Sequence, residues 1–215
     1  MKKISVERTA QSENDRIASE NRRLFEEKGV FVMNLIGSPG CGKTSILQET
    51  GKELGSRVAV IVGDVKTALD AERLLERQVA AVPIETGGSC HLNAQMVRRA
   101  LDKVDLDSVA FLFIENVGNL VCPSMFDLGE HMKVGVLSVP EGDEKVRKYP
   151  ALFVRTEAVF INKIDLLPHC AYDVARVKED LRRAHPGVRT FETSASNGTG
   201  FEGWFELLKE RAAKK

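Results

Sequence analysis

A short apolar run in this chain ends in the string GSPGCGKTS, contributed by Gly37, Ser38, Pro39, Gly40, Cys41, Gly42, Lys43, Thr44 and Ser45. The string fits G-x-x-x-x-G-K-S/T and stands between a strand-like run and a helical pattern, the context that gives this spacing its meaning. Glycines let successive backbone N–H groups wrap a polyphosphate, and the following helix adds the positive end of its dipole. Lys43 would reach the β- and γ-phosphates, and the Thr44 hydroxyl would bind magnesium. Cys41, inside the loop, is read as contributing its backbone.

A second string, FINKIDLL, carries N-K-x-D at Asn162, Lys163 and Asp165. A strand-end carboxylate accepts two hydrogen bonds from guanine, one from the ring N–H and one from the exocyclic amine. Adenine lacks that ring N–H, so the wrong base leaves a charge poorly paired. Asp165 would therefore select guanine, and the aliphatic stem of Lys163 would pack over the base. Further on, TSASNG places Ser194 and Ala195 where backbone N–H groups could meet the guanine carbonyl. The nucleotide expected is GTP, with GDP as product.

Between these strings lies FLFIENVGNLVCP, in which Glu115 ends a strand and Gly118 follows three positions later. Many GTPases have D-x-x-G here, the acid holding magnesium through water and the glycine N–H sensing the γ-phosphate. Glutamate gives this chain a longer arm. Asn119 follows Gly118, so no adjacent glutamine orients an attacking water, and slow hydrolysis is expected. Asp64, closing IVGD, is a further candidate for the magnesium shell, ranked above Asp70; both could equally be capping acids.

The remaining chemistry belongs to thiols and an imidazole. GGSCHLNAQMVRRA sets Cys90 beside His91 just before a helical pattern, and Cys122 lies four residues past Gly118. Thiolate and imidazole suit zinc or nickel. Neighbouring side chains on a helix point about 100° apart. Cys90 and His91 therefore need a loop-to-helix junction, two ions or a partner chain to share one ion. A single chain offers three ligands where a closed site usually wants four, which favours assembly across a dimer. Burial as ordinary core residues is the alternative.

The elements that must position these groups alternate along the chain. Seven apolar runs, VFVMNLIG, RVAVIVGD, VAAVPIE, SVAFLFIENVG, KVGVLSVP, AVFINKID and VRTFETSA, are separated mostly by helical patterns. Near-continuous Val, Ile, Leu and Phe runs suit strands buried on both faces. The fold class is therefore α/β, a mostly parallel sheet of about seven strands flanked by helices, the P-loop NTPase arrangement. Loops at the carboxyl ends of such strands gather on one edge, which would bring Cys90, His91 and Cys122 close to the nucleotide. Residues 1–29 read as an N-terminal amphipathic helix or arm with a thin stripe of Ile17, Leu24 and Phe25, ended by Gly29. Residues 30–215 read as one GTPase domain with an embedded metal site.

Composition narrows the classes. Lys plus Arg and Asp plus Glu each number 31, a balance that lacks the basic surplus of a nucleic-acid binder. No apolar run approaches a membrane span, and the first residues have no signal-like apolar core, so a cytoplasmic location is expected. The four cysteines, Cys41, Cys90, Cys122 and Cys170, form no CxxC pair and read as free thiols or ligands rather than disulfides.

Together GSPGCGKTS, TGGSCHLNA, ENVGNLVCP, KYPALF and INKIDLLP resemble the HypB family, GTPases that assist nickel insertion into nickel–iron hydrogenase. The resemblance runs from Val30 to the C-terminus, and CHLNA with ENVGNLVCP is its most specific part. It implies a GTPase of the SIMIBI class that dimerises on GTP, with Cys90, His91 and Cys122 holding nickel or zinc at the dimer interface. It implies a small zinc-containing maturation chaperone and the hydrogenase large subunit as partners. Two departures stand out: this N-terminus has neither the cysteine motif nor the His-rich stretch found in some members, and Cys41 stands where Ser is more usual. Rival readings are a nickel GTPase serving urease, a small-molecule kinase, against which Asp165 argues, and a metal-independent scaffold.

Overall fold

A computed structural model describes residues 6–63, 74–76 and 79–213. Helix α1, Val6–Lys28, comes first and is ended by Gly29 as the sequence predicts. Strand β1 (Phe31–Gly37) leads through the glycine-rich loop into α2 (Lys43–Leu54). Then come β2 (Val58–Val62), β3 (Ala80–Pro83), α3 (Ala94–Leu101), β4 (Phe111–Glu115) and the short α4 (Cys122–Met125). Strand β5 (Met132–Ser138) is followed by two one-turn helices, α5 (Lys145–Lys148) and α6 (Pro150–Phe153), and by β6 (Ala158–Asn162). Helix α7 (Val174–Ala184), β7 (Arg189–Thr193) and α8 (Glu202–Ala212) complete the order.

The seven strands form one parallel sheet in the order β3-β2-β4-β1-β5-β6-β7. Each strand coincides with one of the seven apolar runs. The interior strands β2, β4 and β6 are buried at every position, because helices cover both faces; the edge strands β3 and β7 are only partly buried. Period-two alternation sorts the side chains. Met33, Leu35, Val60, Val62, Phe111 and Phe113 pack with Ile46 and Leu47 of α2 and Trp204 and Leu208 of α8. Val32, Ala59, Ile61, Leu112 and Ile114 pack on the opposite face with Phe25 of α1 and Val97 of α3. Burying each of the Val, Leu, Ile, Met and Phe side chains among them contributes about 1.5–3 kcal/mol.

Parallel pairing aligns the strand ends that matter. Leu35 lies beside Glu115, Gly37 beside Val136, Ser138 beside Asn162, and Asn162 beside Thr193. Every loop with a chemical motif therefore leaves the same edge of the sheet. Among the described residues no helix is long and apolar enough to cross a membrane.

Candidate functional site

The loop between β1 and α2 wraps around its own lysine. Gly40 and Gly42 take φ of 75° and 101°, left-handed values that suit residues without a Cβ. Gly42 is doubly constrained, since a Cβ there would lie 2.3 Å from Asn162 Nδ2. Lys43 is 4% exposed, with Nζ 3.3 Å from the Gly37 carbonyl and 3.2 Å from that of Ser38. Cys41 is fully buried, and burial pushes its thiol up to about 11. That leaves its backbone as its contribution: the Cys41 carbonyl accepts from Asn162 Nδ2 at 3.0 Å.

The N-K-x-D segment clamps this loop from the far side. Asn162 also accepts from Ala195 N at 3.2 Å and from the Thr193 hydroxyl at 3.4 Å, so one side chain ties the phosphate loop to the TSASNG turn. Lys163, at φ 63°, sends Nζ to the Gly40 carbonyl at 2.7 Å. Asp165 is exposed at the mouth and accepts from the Ser194 hydroxyl at 2.5 Å. The backbone N–H groups expected to face a base carbonyl are engaged within the turn itself, Ser194 N with Thr199 O at 3.0 Å and Ala195 N with Asn162.

On the opposite flank, Thr44 Oγ1 donates to Glu115 Oε1 at 2.8 Å. Glu115 is 3% exposed and ends β4. Two oxygen donors meeting beside Lys43 make a hard-ligand set that fits magnesium. Gly118 presses on the loop: a Cβ there would stand 2.8 Å from Pro39 Cγ and 3.0 Å from Pro39 Cα. Asp64 and Asp70 lie outside the described residues.

The three soft ligands converge. One ligand atom each from Cys90, His91 and Cys122 lies within 4.8 Å of the others. Cys90 and His91 sit in the loop before α3, whose N-cap is Asn93, its side chain accepting from Met96 N at 2.9 Å. That is the loop-to-helix junction the adjacent pair requires, with Cys90 Sγ 3.5 Å from His91 Nδ1. Cys122 opens α4 rather than lying in open loop. Asn119 Nδ2 donates to the Cys90 carbonyl at 3.2 Å, linking the two thiol segments. The His91 ring stacks on Phe126 with centroids 3.9 Å apart, and burial pulls its pKa below the ordinary imidazole value. A hydrogen bond with the Cys122 thiol, aided by burial, raises the pKa of Cys90. A neutral His91 imidazole and a Cys90 thiol held in its protonated form describe a site that must shed a proton to take up a cation.

Sequence reasoning missed what lies beneath the site. Asn14 and Asn21 of α1 are buried polar residues on a face expected to be a thin apolar stripe. Asn14 accepts from Ala94 N at 2.9 Å and donates to the Asp127 carbonyl at 2.9 Å. Asn21 Nδ2 donates to the Ala94 and Leu128 carbonyls at 3.0 and 3.1 Å. Two amides of α1 thus bridge the segment after Cys90–His91 and the segment after Cys122. Their two-turn spacing along one helix could have been read, but asparagine at such positions passes for a solvent-facing residue.

The family model described as CobW/HypB/UreG, nucleotide-binding domain, matches residues 31–192. The hydrogenase maturation factor HypB of Rhizobium leguminosarum bv. viciae is 45% identical over 214 residues, covering 99% of this chain and 72% of that protein. The hydrogenase/urease maturation factor HypB of Helicobacter hepaticus is 41% identical over 217 residues, covering 99% of this chain and 90% of that one. The crystal structure of HypB from Helicobacter pylori in complex with nickel superposes with a TM-score of 0.89 at 39% identity, covering 94% of this chain and 96% of that chain.

Proposed function

The chain belongs to the CobW/HypB/UreG family, as a HypB-type member, and from that premise we propose that it is a slow GTPase carrying nickel toward nickel–iron hydrogenase. One observation carries the reading: Cys90, His91 and Cys122 form a soft-ligand cluster on the same sheet edge as a phosphate loop. Nickel, or zinc in its place, is cargo held by those three groups. Phosphates lie in the cradle of residues 37–45 with Lys43 against them, and Asp165 reads guanine. Magnesium, held by Thr44 and Glu115, with Asp64 as a further candidate, would neutralise phosphate charge. Gly118 presses on Pro39 and is suited to register the terminal phosphate.

Three ligands leave a fourth position for a second copy of the chain, and GTP-dependent dimerisation supplies it. Val121 and Met125, 50% and 56% exposed beside Cys122, support such a covering partner. GTP then reshapes the 115–122 segment and moves Cys122 against Cys90 and His91. Linkage requires metal to act back on nucleotide affinity by the same factor. Released nickel passes to a small zinc-containing maturation chaperone or to the hydrogenase large subunit, in the cytoplasm, with no nucleic acid or membrane involved. Service to urease is a second reading, favoured by the double name of the Helicobacter hepaticus relative.

The test is metal analysis and solution mass of the protein with GDP and with a non-hydrolysable GTP analogue. A GTP-specific dimer whose nickel content differs from the GDP form is expected. A triple Cys90→Ala, His91→Ala, Cys122→Ala variant that still supports maturation in cells would point instead to a metal-independent scaffold.

A further inference from the structure

A buried polar chain crosses the apolar interior directly beneath both sites. Asn116, the residue after Glu115, is fully buried. Its Oδ1 accepts from Leu92 N at 3.1 Å and Val117 N at 3.0 Å, and its Nδ2 donates to Asn34 Oδ1 at 3.1 Å. Asn34, midway along β1 and fully buried, donates in turn to Glu130 Oε1 at 3.2 Å. Glu130 Oε2 accepts from Leu128 N at 2.7 Å, and its carboxylate pairs with Lys133.

The covalent neighbours of this chain give it meaning. Leu92 follows His91, Asn116 follows Glu115, and Leu128 lies downstream of Cys122 on the segment held by α1. Asn116 N also donates to the Leu35 carbonyl at 3.0 Å, two residues before the phosphate loop begins at Gly37. Buried amides are costly to leave unpaired, so a shift of the strand end must either carry Leu92 with it or break a bond inside the core.

We propose that Asn116 is the positioning residue that couples the Glu115 strand end to the Cys90–His91 loop, its second arm reaching the Cys122 segment through Asn34 and Glu130. This rests on the coupled nickel and GTP reading above. Asn116 touches neither ligand. Its side chain makes the position of the magnesium-side carboxylate and that of the His91 loop one variable instead of two.

Nickel(II) is titrated into the full chain and into Asn116→Ala, each with GDP and with a GTP analogue plus magnesium. The wild-type nickel affinity is expected to differ between the nucleotide states by about 5-fold or more, the usual span of such coupling. In Asn116→Ala the ratio falls to within about 2-fold of one, while nickel and nucleotide still bind. A residue that merely packs would weaken both affinities together and leave their ratio intact. A wild-type ratio of one defeats the coupled reading, and this inference with it. A wild-type ratio kept in Asn116→Ala overturns the inference alone. Should Asn116→Ala fail to melt cooperatively, Asn116→Ser, whose shorter side chain cannot hold both Leu92 N and Asn34, is read by the same ratio, and an undiminished ratio there overturns it.

Discussion

The Thr44 hydroxyl donates to Glu115 Oε1 across 2.8 Å, joining the first turn of α2 to the last residue of β4. The two residues are far apart in sequence, yet the parallel pairing of β1 and β4 makes them neighbours. Thr44→Ala removes one oxygen from this pair. Magnesium-dependent GTP affinity should drop about 10- to 100-fold, in line with loss of ~1.5–3 kcal/mol for a contact to a charged group. Affinity in excess chelator should hardly change; equal losses with and without magnesium would remove Thr44 from the metal shell.

Gly118→Ala tests the pressure of the 115–122 segment on the phosphate loop. The new methyl would stand 2.8 Å from Pro39 Cγ and 3.0 Å from Pro39 Cα, closer than packing allows. One side must move, at a cost of about 1–3 kcal/mol. Weaker GTP-analogue binding together with a lower melting temperature is expected, read by equilibrium titration and calorimetry. Wild-type values for both would mean the segment yields freely.

Asp165→Asn replaces an acceptor with a mixed donor and acceptor where the proposed reading puts guanine. Guanine then meets a donor facing its own N–H groups, whereas xanthine offers a carbonyl in place of the exocyclic amine. GTP affinity should fall by about 100-fold, the order for an unpaired polar group at a charged contact, and XTP should become the better ligand. Competition binding with the two nucleotides decides it.

Nickel uptake should strengthen as pH rises. Cys90 has its thiol raised by its bond with Cys122, so binding must displace a proton that is still present near neutrality. His91 is shifted the other way by burial and stays neutral below the ordinary imidazole range. The sign for stability follows: a depressed histidine is protonated more readily in the unfolded chain, so its contribution is kept above the unfolded value and lost as pH falls. Calorimetry in buffers of different ionisation enthalpy should show protons released with nickel; a buffer-independent heat would contradict the assignment.

Cys41 should resist alkylation in the folded protein in mildly alkaline buffer, because burial holds its thiol near 11. Cys90, exposed, and the half-buried Cys122 and Cys170 should be labelled before it, and nickel should protect Cys90 and Cys122 but not Cys170. Mass spectrometry of the labelled peptides reads the order. Early labelling of Cys41 would show that the phosphate loop opens readily.

The sheet was legible because strands buried on both faces write themselves as unbroken Val, Ile, Leu and Phe runs, and all seven runs became strands. The phosphate loop and N-K-x-D were legible because each depends on local spacing. Ser194 and Ala195 were harder: whether a backbone N–H points outward depends on the turn, and here Thr199 and Asn162 take both. The asparagines at 14, 21, 34 and 116 carry no local signature, since their partners, the adjacent Val117 aside, lie 24 to 113 residues away in sequence. Only folding brings them together, so no periodicity announces them.

Helix α1 grips Ala94, Asp127 and Leu128 through two amides set seven residues apart. A chimera that exchanges this helix for an unrelated one of equal length and greasiness would keep the hydrophobic seam and still lose that fastening. Protein engineers grafting a leader onto this chain should therefore transplant the pair of asparagines in register, as one would keep both hinges when replacing a door.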